Sequence, residues 1–403
     1  MELKILRFYR WIANFSTSMV SAFVPLIVYD YTGKLWLSLL ALILQRVINY
    51  LSNLIFRKAM VKKPQLFLVL RLFPILLYEV LVIFIKFNPI LCVLGISVGL
   101  ALSHSFKYIP IEVIYSQNSI DKDADQVGFT VFIDRSAYII AFICGGLFLD
   151  YIPTIYLVII SVVLYILGTI PMFMQYIENR KKKNFNEEYA AYAHLILKKK
   201  RKTKSQSVQL KKKLRFRYAF YNFLITTIDG YYYYIPLFVF IATGSFTLAS
   251  IINVIFDVTY AFGSVLVGWL DKKKDLTAFT IIACLLCTAC LVLTPILINH
   301  WTIYLVAGFL GFSYSFPAVF MFNRMLTKTR LVGRSNQSVA DKFDMMLVNN
   351  SILYSTGFLV PQLSWFFYFG AILLMFSSMY IPKLEEESRA LLVDYFQEND
   401  IPS

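Results

Sequence analysis

Ionisable side chains interrupt the long apolar runs of this sequence, and we take seven of them as candidates for function. They are Arg46, Glu79, Asp134, Arg135, Asp229, Asp257 and Asp344. An ionisable group inside bilayer hydrocarbon costs about 2.5–3.5 kcal/mol on insertion scales, so each needs a partner or a water-filled cavity. Such groups bind substrates or ions, relay protons, or form structural ion pairs. These residues are therefore the first candidates for function.

Asp229 and Asp257 are the strongest candidates, because both fall near the middle of their apolar runs. At 1.5 Å of rise per residue they lie about 16 and 21 Å from the predicted cytoplasmic ends of their helices. A carboxyl group at that depth can take up and release protons near neutral pH. We predict that one or both carry protons or hold a cationic substrate. The alternative is that they are hydrogen-bonded acids that stabilise helix contacts.

Two further pairs of charges are candidates of lower rank. Arg46 and Glu79 lie about 16 and 22 Å from the predicted cytoplasmic ends of their helices. Two long side chains can close this difference in depth. They form either a structural ion pair or part of a substrate site. Asp134 and Arg135 are adjacent, so they point about 100° apart on a helix. We expect one to face a cavity and the other to face a neighbouring helix.

Four consecutive tyrosines, Tyr231–Tyr234, follow Asp229–Gly230 and precede Pro236. Glycine and proline permit a local kink, whose loosened backbone must face protein or water. Four consecutive residues cover every side of a helix, so at most two can line a cavity, and Tyr231 and Tyr234 are the candidates. An aromatic lining favours a bulky amphipathic substrate. Ordinary packing is the alternative for each ring.

Asp344, Asn349 and Asn350 bring three polar groups to one predicted helix near the C-terminus. We take Asp344 and Asn350 as candidates for substrate binding or coupling. The alternative is hydrogen bonding between helices, which is worth only about 0.6 kcal/mol on average in membranes. These residues therefore rank below Asp229 and Asp257.

The apolar runs that carry these residues dominate the composition. Of 403 residues, 58% are apolar and 16% are charged, and the mean hydropathy is +0.64. Ordinary soluble domains are about 45–50% apolar and about 25% charged. The composition excludes a soluble enzyme, a disordered chain and a secreted disulfide scaffold. It predicts an all-α integral membrane protein.

Twelve apolar runs are long enough to cross about 30 Å of hydrocarbon at 1.5 Å per residue. The first six cover 9–29, 35–56, 65–86, 88–107, 127–149 and 153–176. The second six cover 218–241, 247–270, 277–298, 301–322, 340–360 and 363–382. Two six-helix bundles joined by a long loop are typical of transporters built from structural repeats. We predict a first bundle at 1–178, a linker at 179–217, and a second bundle with a cytoplasmic tail at 218–403.

Basic residues predict the orientation of these spans. From Arg180 to Arg217 the chain has fifteen Lys or Arg and two acids, which supply +13 of the formal net charge of +15. Basic loops stay on the cytoplasmic side, where anionic headgroups attract them. We expect the linker and both termini there, with a short amphipathic helix at 186–197 on the inner leaflet. Nucleic acid is not an expected partner, because no folded nucleic-acid module accompanies the basic run.

The cysteines and short motifs predict neither a cofactor nor catalysis. The five cysteines are Cys92, Cys144, Cys284, Cys287 and Cys290. All lie in apolar runs and behave as buried hydrophobic residues, not as a disulfide framework. The last three share one helix without nearby His or carboxylate ligands, so we predict no metal site. The sequence has no Walker-type glycine-rich lysine loop for ATP.

Three short segments resemble exporters of the major facilitator superfamily. They are Arg7-Phe8-Tyr9-Arg10-Trp11, Tyr29-Asp30-Tyr31-Thr32-Gly33-Lys34 and Gly333-Arg334. The first two match the first span and the loop after it, most closely in the branch of macrolide-efflux drug antiporters. The resemblance implies two pseudo-symmetric six-helix bundles, alternating access, and export across a bacterial plasma membrane.

The loop after the second span departs from that family pattern, which carries Gly-x-x-x-Asp-Arg. Here Asn53 stands at the glycine and Arg57 stands at the acid. The counterpart in the second half keeps the acid as Asp271, followed by Lys272. The resemblance implies that Arg57, Asp271 and Lys272 control conformational gating.

We therefore predict a secondary active transporter that exports an amphipathic or drug-like small molecule, with protons as the candidate coupling ion. The alternative transporter is a flippase for a lipid, a glycolipid or a lipid-linked substrate. The alternative from another class is a membrane receptor or assembly subunit that does not transport. We expect a monomer whose partners are its substrate, protons and membrane lipids, and no enzymatic activity.

Overall fold

The computed structural model describes residues 3–118, 124–181, 205–271, 275–297, 300–331, 335–359 and 363–398. Every element of regular secondary structure in these ranges is helical. Helices suit a bilayer because they satisfy all their backbone hydrogen bonds internally. Lys272, the Gly333-Arg334 segment and the expected amphipathic helix at 186–197 lie outside the described residues.

The described part of the first half folds into eight helices. They are α1 (Leu3–Ser21), α2 (Val24–Thr32), α3 (Leu35–Lys62), α4 (Pro64–Leu70), α5 (Leu72–Ile83), α6 (Pro89–Asn118), α7 (Ala124–Tyr151) and α8 (Thr154–Lys181). α1 and α2 together form one span, and α4 and α5 form another. Pro25 and Pro64 lie in the first turns of α2 and α4, where the missing N–H of proline removes no helical hydrogen bond.

The described part of the second half also folds into eight helices. They are α9 (Ser205–Ile225), α10 (Thr227–Thr243), α11 (Phe246–Asp271), α12 (Thr277–Leu297), α13 (Ile303–Ser315), α14 (Met321–Leu331), α15 (Ser335–Leu359) and α16 (Leu363–Glu398). α9 continues into α10 as one span, and a π-helical turn at Phe316–Phe320 joins α13 to α14.

The first and seventh spans end in the same way. Gly33 ends α2 with φ of 63°, and Gly244 ends α10 with φ of 68°. Their N–H groups donate to the carbonyls of Tyr29 and Phe240. Glycine takes this left-handed conformation without the steric cost that a Cβ imposes. Each half thus turns sharply from its first span into its second.

Eleven stretches of the described chain are long and apolar enough to cross a membrane. α15 covers the remaining predicted span, 340–360, and is more polar because it contains Asp344, Asn349 and Asn350. Several helices pass beyond their predicted ends, and the longest extensions are those of α6 to Asn118, of α9 from Ser205 and of α16 to Glu398. A helix need not stop at the edge of the hydrocarbon, because long charged side chains extend from it into water.

Several of the polar residues of interest, among them Arg135, Asp257 and Asp344, lie along the contact between the halves. α7 packs along α11, and α3 packs along α15. Large apolar side chains are exposed elsewhere, including Phe73, Phe262 and Phe309, each about two-thirds exposed. Exposed apolar surface of this extent requires a lipid or protein partner. The chain therefore has a polar seam between its halves and a lipid-facing shell.

Candidate functional site

An ion pair joins the two halves at the middle of α7 and α11. Arg135 Nη1 lies 2.5 Å from Asp257 Oδ1, and the Tyr232 hydroxyl on α10 donates to Asp257 Oδ2 at 2.6 Å. The Asp257 side chain is fully buried. A buried carboxylate is tolerated when a cation and hydrogen-bond donors satisfy it. We call this contact the central pair.

Tyrosine rings surround the Arg135 guanidinium. Its central carbon lies 4.5 Å from the ring centroid of Tyr260, 5.7 Å from that of Tyr138 and 5.8 Å from that of Tyr232. The negative face of an aromatic ring attracts a cation, and the attraction is larger where water is excluded. The central pair therefore lies in an aromatic cage shared by both halves.

Asp229 faces the same centre. It is half-buried near the start of α10 and lies beside the Tyr314 hydroxyl. Both Asp229 and Asp257 lie close to Tyr260. The structure thus brings together two of the predicted carboxylates with Arg135. Their roles in binding or coupling stay predictions.

Two further cations of the first half border the cage. Arg46 on α3 is buried, and its guanidinium carbon lies 5.3 Å from the ring centroid of Tyr233. Lys107 on α6 is also buried, and its ammonium donates to the Tyr138 hydroxyl at 3.0 Å. Among the described residues, neither cation has a carboxylate within salt-bridge distance.

Lys107 is a residue that the sequence pattern does not single out. It stands at the predicted end of the fourth span, where a lysine is expected to reach the interface. α6 instead continues to Asn118, which puts Lys107 inside the bundle. The apolar residues of Tyr108–Ile111 that follow it are the signal that could have revealed this.

Tyr231 and Tyr234, the predicted lining residues, pack mainly against α16, although Tyr231 also lines a small cavity with Tyr232. The Tyr231 hydroxyl donates to the Phe366 carbonyl at 2.5 Å, and the Tyr234 ring stacks on the Phe366 ring at 3.9 Å between centroids. Tyr232 and Tyr233 are the two that meet the polar centre. The roles of Tyr231 and Tyr234 in substrate binding stay predictions, because four consecutive residues cover all sides of a helix and packing decides which side faces inward.

The variant Gly370→Ala tests the packing role of Tyr231. A Cβ at Gly370 would lie 1.9 Å from the Tyr231 hydroxyl, so the tyrosine would have to move. We expect the free energy of unfolding to fall by about 1–3 kcal/mol, as for other overpacked cores. Thermal unfolding in detergent measures this. The control is Gly308→Ala, whose Cβ would lie 3.3 Å from the Ile255 side chain, a much milder contact. An equal loss there would contradict the assignment.

Glu79 is bound away from Arg46. It is fully buried on α5, and it accepts hydrogen bonds from Tyr78 at 3.1 Å and from Ser161 on α8 at 2.7 Å. The ion pair considered for Arg46 and Glu79 is therefore wrong, because Glu79 faces α8 and Arg46 faces the second half. Sequence depth alone does not reveal the rotation of either helix.

Asp134 and Arg135 contact different neighbours, as adjacent positions on a helix must. Asp134 pairs with Arg10 on α1 and accepts a hydrogen bond from the Asn14 amide at 3.2 Å. It therefore joins two helices of the first half, while Arg135 reaches into the second half.

Asn349 and Asn350 differ in their surroundings although they are neighbours on α15. Asn349 donates to the Phe223 carbonyl and to the Thr227 hydroxyl, the latter at 2.9 Å. Asn350 is fully buried, and neither atom of its amide has a hydrogen-bond partner among the described residues. A Cβ at Gly230 would lie 3.1 Å from its Oδ1. Asn350 thus meets α10 closely and stays a candidate.

The halves are joined on the side of the bundle where α8 ends and α9 begins, which we call the linker side. There Arg57 on α3 pairs with Asp344 on α15. Asp271, by contrast, accepts a hydrogen bond at 2.6 Å from Asn323, a residue of its own half. Of the predicted gating residues, Arg57 bridges the halves, Asp271 contacts its own half, and Lys272 lies outside the described residues.

The halves are also joined on the opposite side. Asp150, at the end of α7, accepts hydrogen bonds from the backbone N–H groups of Phe246 at 2.8 Å and Thr247 at 2.9 Å. A carboxylate at a helix N-terminus satisfies free N–H groups and complements the helix dipole. A small cavity of about 10 Å³, the room of one water molecule, lies within the second half beside Tyr232 and Asn253. The described contacts thus join the halves on both sides of the central pair.

Comparison with known proteins agrees with this architecture. The sequence profile of the Major Facilitator Superfamily matches residues 127–339, more than half of the chain. No curated protein sequence matches the chain.

Solved structures share its fold at low sequence identity. A bacterial homologue of the iron transporter ferroportin, in the outward-facing state with soaked iron, has a TM-score of 0.68 and 11% identity over 96% of this chain and 100% of that chain. The human organic anion transporter MFSD10 (TETRAN) has a TM-score of 0.60 and 11% identity over 94% of this chain and 98% of that chain. A bacterial metal transporter has a TM-score of 0.59 and 13% identity over 95% of this chain and 98% of that chain. The chain therefore belongs to the Major Facilitator Superfamily and is a secondary transporter, not an enzyme.

Proposed function

We propose that this protein is a proton-driven antiporter that exports an amphipathic, drug-like small molecule by alternating access of its two halves, 1–178 and 218–403. The observation that carries the proposal is the central pair, Arg135–Asp257, which links the halves inside the tyrosine cage. Movement of the halves must break this pair. A buried ion pair that breaks leaves uncompensated charge, so a proton or a substrate has to supply the compensation.

Protonation of Asp257 supplies one such compensation. A neutral carboxyl group loses most of its attraction for Arg135, while it keeps its hydrogen bond with Tyr232. If the state in which the central pair is broken binds the proton more tightly than the state in which it is formed, protonation shifts the population towards the broken pair. Asp229 provides a second carboxyl group near the same tyrosine and is the candidate relay.

The aromatic walls support an amphipathic substrate. Tyrosines combine a flat apolar face with a polar edge, which suits a ring-containing molecule with few polar groups. The resemblance of the first span to macrolide-efflux antiporters supports export as the direction. Two structural neighbours are described as an iron transporter homologue and a metal transporter, but the guanidinium and ammonium groups at this centre would repel a metal cation. We therefore do not extend metal transport to this chain.

The charge distribution supports an orientation in a bacterial plasma membrane. With the linker at 179–217 and both termini on the cytoplasmic side, the basic residues follow the positive-inside rule. The linker then lies near anionic headgroups. We propose a monomer, because both sides of the central pair come from one chain.

Flux in proteoliposomes tests the proposal. Full-length protein is supplied with fluorescent amphipathic dyes, a macrolide and fluorescent lipids, with and without a proton gradient. We expect flux of a dye or the macrolide that requires the gradient. Asp257→Asn should abolish the flux, because an amide keeps the shape of the carboxyl group but cannot take up and release the coupling proton. Asp275→Asn, at an exposed carboxylate, is the matched control and should transport as the wild type does.

Three outcomes would contradict parts of the proposal. Flux that ignores the gradient would overturn proton coupling. Flux of labelled lipid alone would favour the flippase alternative. Absence of flux for every compound class would favour the receptor or assembly subunit.

A further inference from the structure

The first half brings two buried cations to the polar centre that form no salt bridge with a described carboxylate. Arg135 is paired with Asp257. Arg46 and Lys107 border the same cage, at 4% and 5% exposure, without a described carboxylate in salt-bridge distance. Burying a charge costs several kcal/mol unless a counter-charge or hydrogen bonds repay it. The surplus positive charge therefore needs an explanation.

The nearby acids are engaged by other groups. Asp134, on the same side of the cage as Lys107, is held by Arg10 and by the Asn14 amide. Asp229 lies beside the Tyr314 hydroxyl and interacts electrostatically with Arg135 and, more weakly, with Arg46. Neither acid forms an ion pair with the two surplus cations in the described part of the chain.

Tyr108 lies close to both cations. The Lys107 ammonium donates to the Tyr138 hydroxyl and lies 4.8 Å from the ring centroid of Tyr108. Arg46 lies over Tyr233 and also close to Tyr108. An aromatic face stabilises a cation without cancelling its charge. Positive charge thus remains available on both sides of Tyr108.

The guanidinium of Arg46 forms a hydrogen bond with the Tyr354 hydroxyl, but one of its donors is unsatisfied. Its Nε is buried and has no hydrogen-bond partner among the described residues. The planar fork of a guanidinium matches the two oxygens of a carboxylate, a sulfonate or a phosphate. Such a group would satisfy the unpaired Nε and the charge of Arg46 together.

We propose that the transported molecule is an amphipathic organic anion, whose carboxylate, sulfonate or phosphate group binds between Arg46 and Lys107 while its apolar rings contact the tyrosine cage. The inference rests on the proposed transport function and assigns its substrate class. It replaces the cationic substrate considered for Asp229 and Asp257, because Arg135 already neutralises Asp257. An anionic lipid headgroup shares this chemistry, and the experiment separates the two sources.

Binding of two matched probes tests the anion site without requiring transport. The probes are 1-naphthaleneacetate and 1-naphthylmethylamine, which share an aromatic body and carry opposite charge. Calorimetric titration of the purified full-length protein measures both affinities. We expect the acetate to bind at least tenfold more tightly than the amine. Arg46→Gln and Lys107→Gln should each weaken acetate binding by about 10- to 100-fold, the loss of one charge-assisted hydrogen bond.

Three control variants separate the loss of positive charge at the site from general effects of substitution. Lys34→Gln removes an exposed lysine at the far end of α3 and should leave acetate binding unchanged. Arg46→Lys and Lys107→Arg keep the charge and should bind acetate more tightly than the glutamine variants. This order of acetate affinities tests whether the positive charge binds the anion, even where a glutamine variant folds poorly.

Flux of the same probes, and of labelled phosphatidylglycerol and phosphatidylcholine, completes the test. Acetate flux assigns a free organic anion, and flux confined to phosphatidylglycerol assigns an anionic lipid headgroup. Acetate binding without flux of any compound would overturn the transport proposal and leave the anion site standing. Tighter or equal binding of the amine, absence of acetate binding, or unchanged binding in both glutamine variants would overturn the anion inference, whatever the flux.

Discussion

Replacing Asp257 by alanine is expected to lower the free energy of unfolding by about 3–5 kcal/mol, because the buried Arg135 loses its counter-charge. The double variant Arg135→Leu/Asp257→Leu should recover most of this loss, since replacing a buried ion pair by apolar residues is often neutral. Chemical unfolding in detergent measures both changes. We expect neither variant to transport, because the pair that responds to the proton is gone.

An exposed ion pair provides the control for this experiment. Asp275 pairs with Arg324 at 3.4 Å, and its side chain is 57% exposed. Asp275→Ala should therefore cost less than about 1 kcal/mol, as is usual for surface pairs. Wild-type flux in the double variant would remove the central pair from the mechanism, even if the stability changes were as expected.

Reversing the charge at Arg57 is expected to open the linker side of the protein. Arg57→Asp would face Asp344 with a like charge in place of the ion pair that joins α3 to α15. We expect the ratio of open to closed states to rise at least tenfold, which corresponds to about 1.4 kcal/mol. The swapped variant Arg57→Asp/Asp344→Arg should restore the closed state.

Distances between spin labels measure this equilibrium. Lys58 and Thr327 are exposed on the linker side, one in each half, and can carry the labels. The matched control is Arg215→Asp, since Arg215 pairs with Asp341 on the same α15 but within one half. An equal shift in the control would show that charge reversal disturbs α15 in general. In that case the Arg57–Asp344 pair would not be the gate.

Much of the fold could be predicted from the apolar runs, because a bilayer allows few alternatives to helices of about 20 apolar residues. Helix ends were less predictable. α6 passes its predicted end at 107. From the sequence, Lys107 therefore resembles a lysine at the membrane interface and does not stand out as a buried cation. The chain's hydropathy marks the hydrocarbon boundary, whereas a helix ends where its backbone hydrogen bonds end.

The candidate charges could be found from the sequence, but their partners could not. Arg135 and Asp257 both stood out as ionisable residues in apolar runs, yet they are separated by 122 positions and lie in different halves. Glu79 stood out equally and lies inside the first half against Ser161. Position along a helix gives depth in the membrane, but it does not give the direction in which a side chain points.

The sequence by itself determined that this chain is a bundle of membrane-spanning helices and which side chains would be costly inside it, because both follow from the transfer of residues from water to hydrocarbon. Only the tertiary structure decided which of those side chains meet at the polar centre. The reason is that the rotation of each helix about its axis is set by packing against helices distant in the chain, as Tyr232 and Tyr233 illustrate beside Tyr231 and Tyr234.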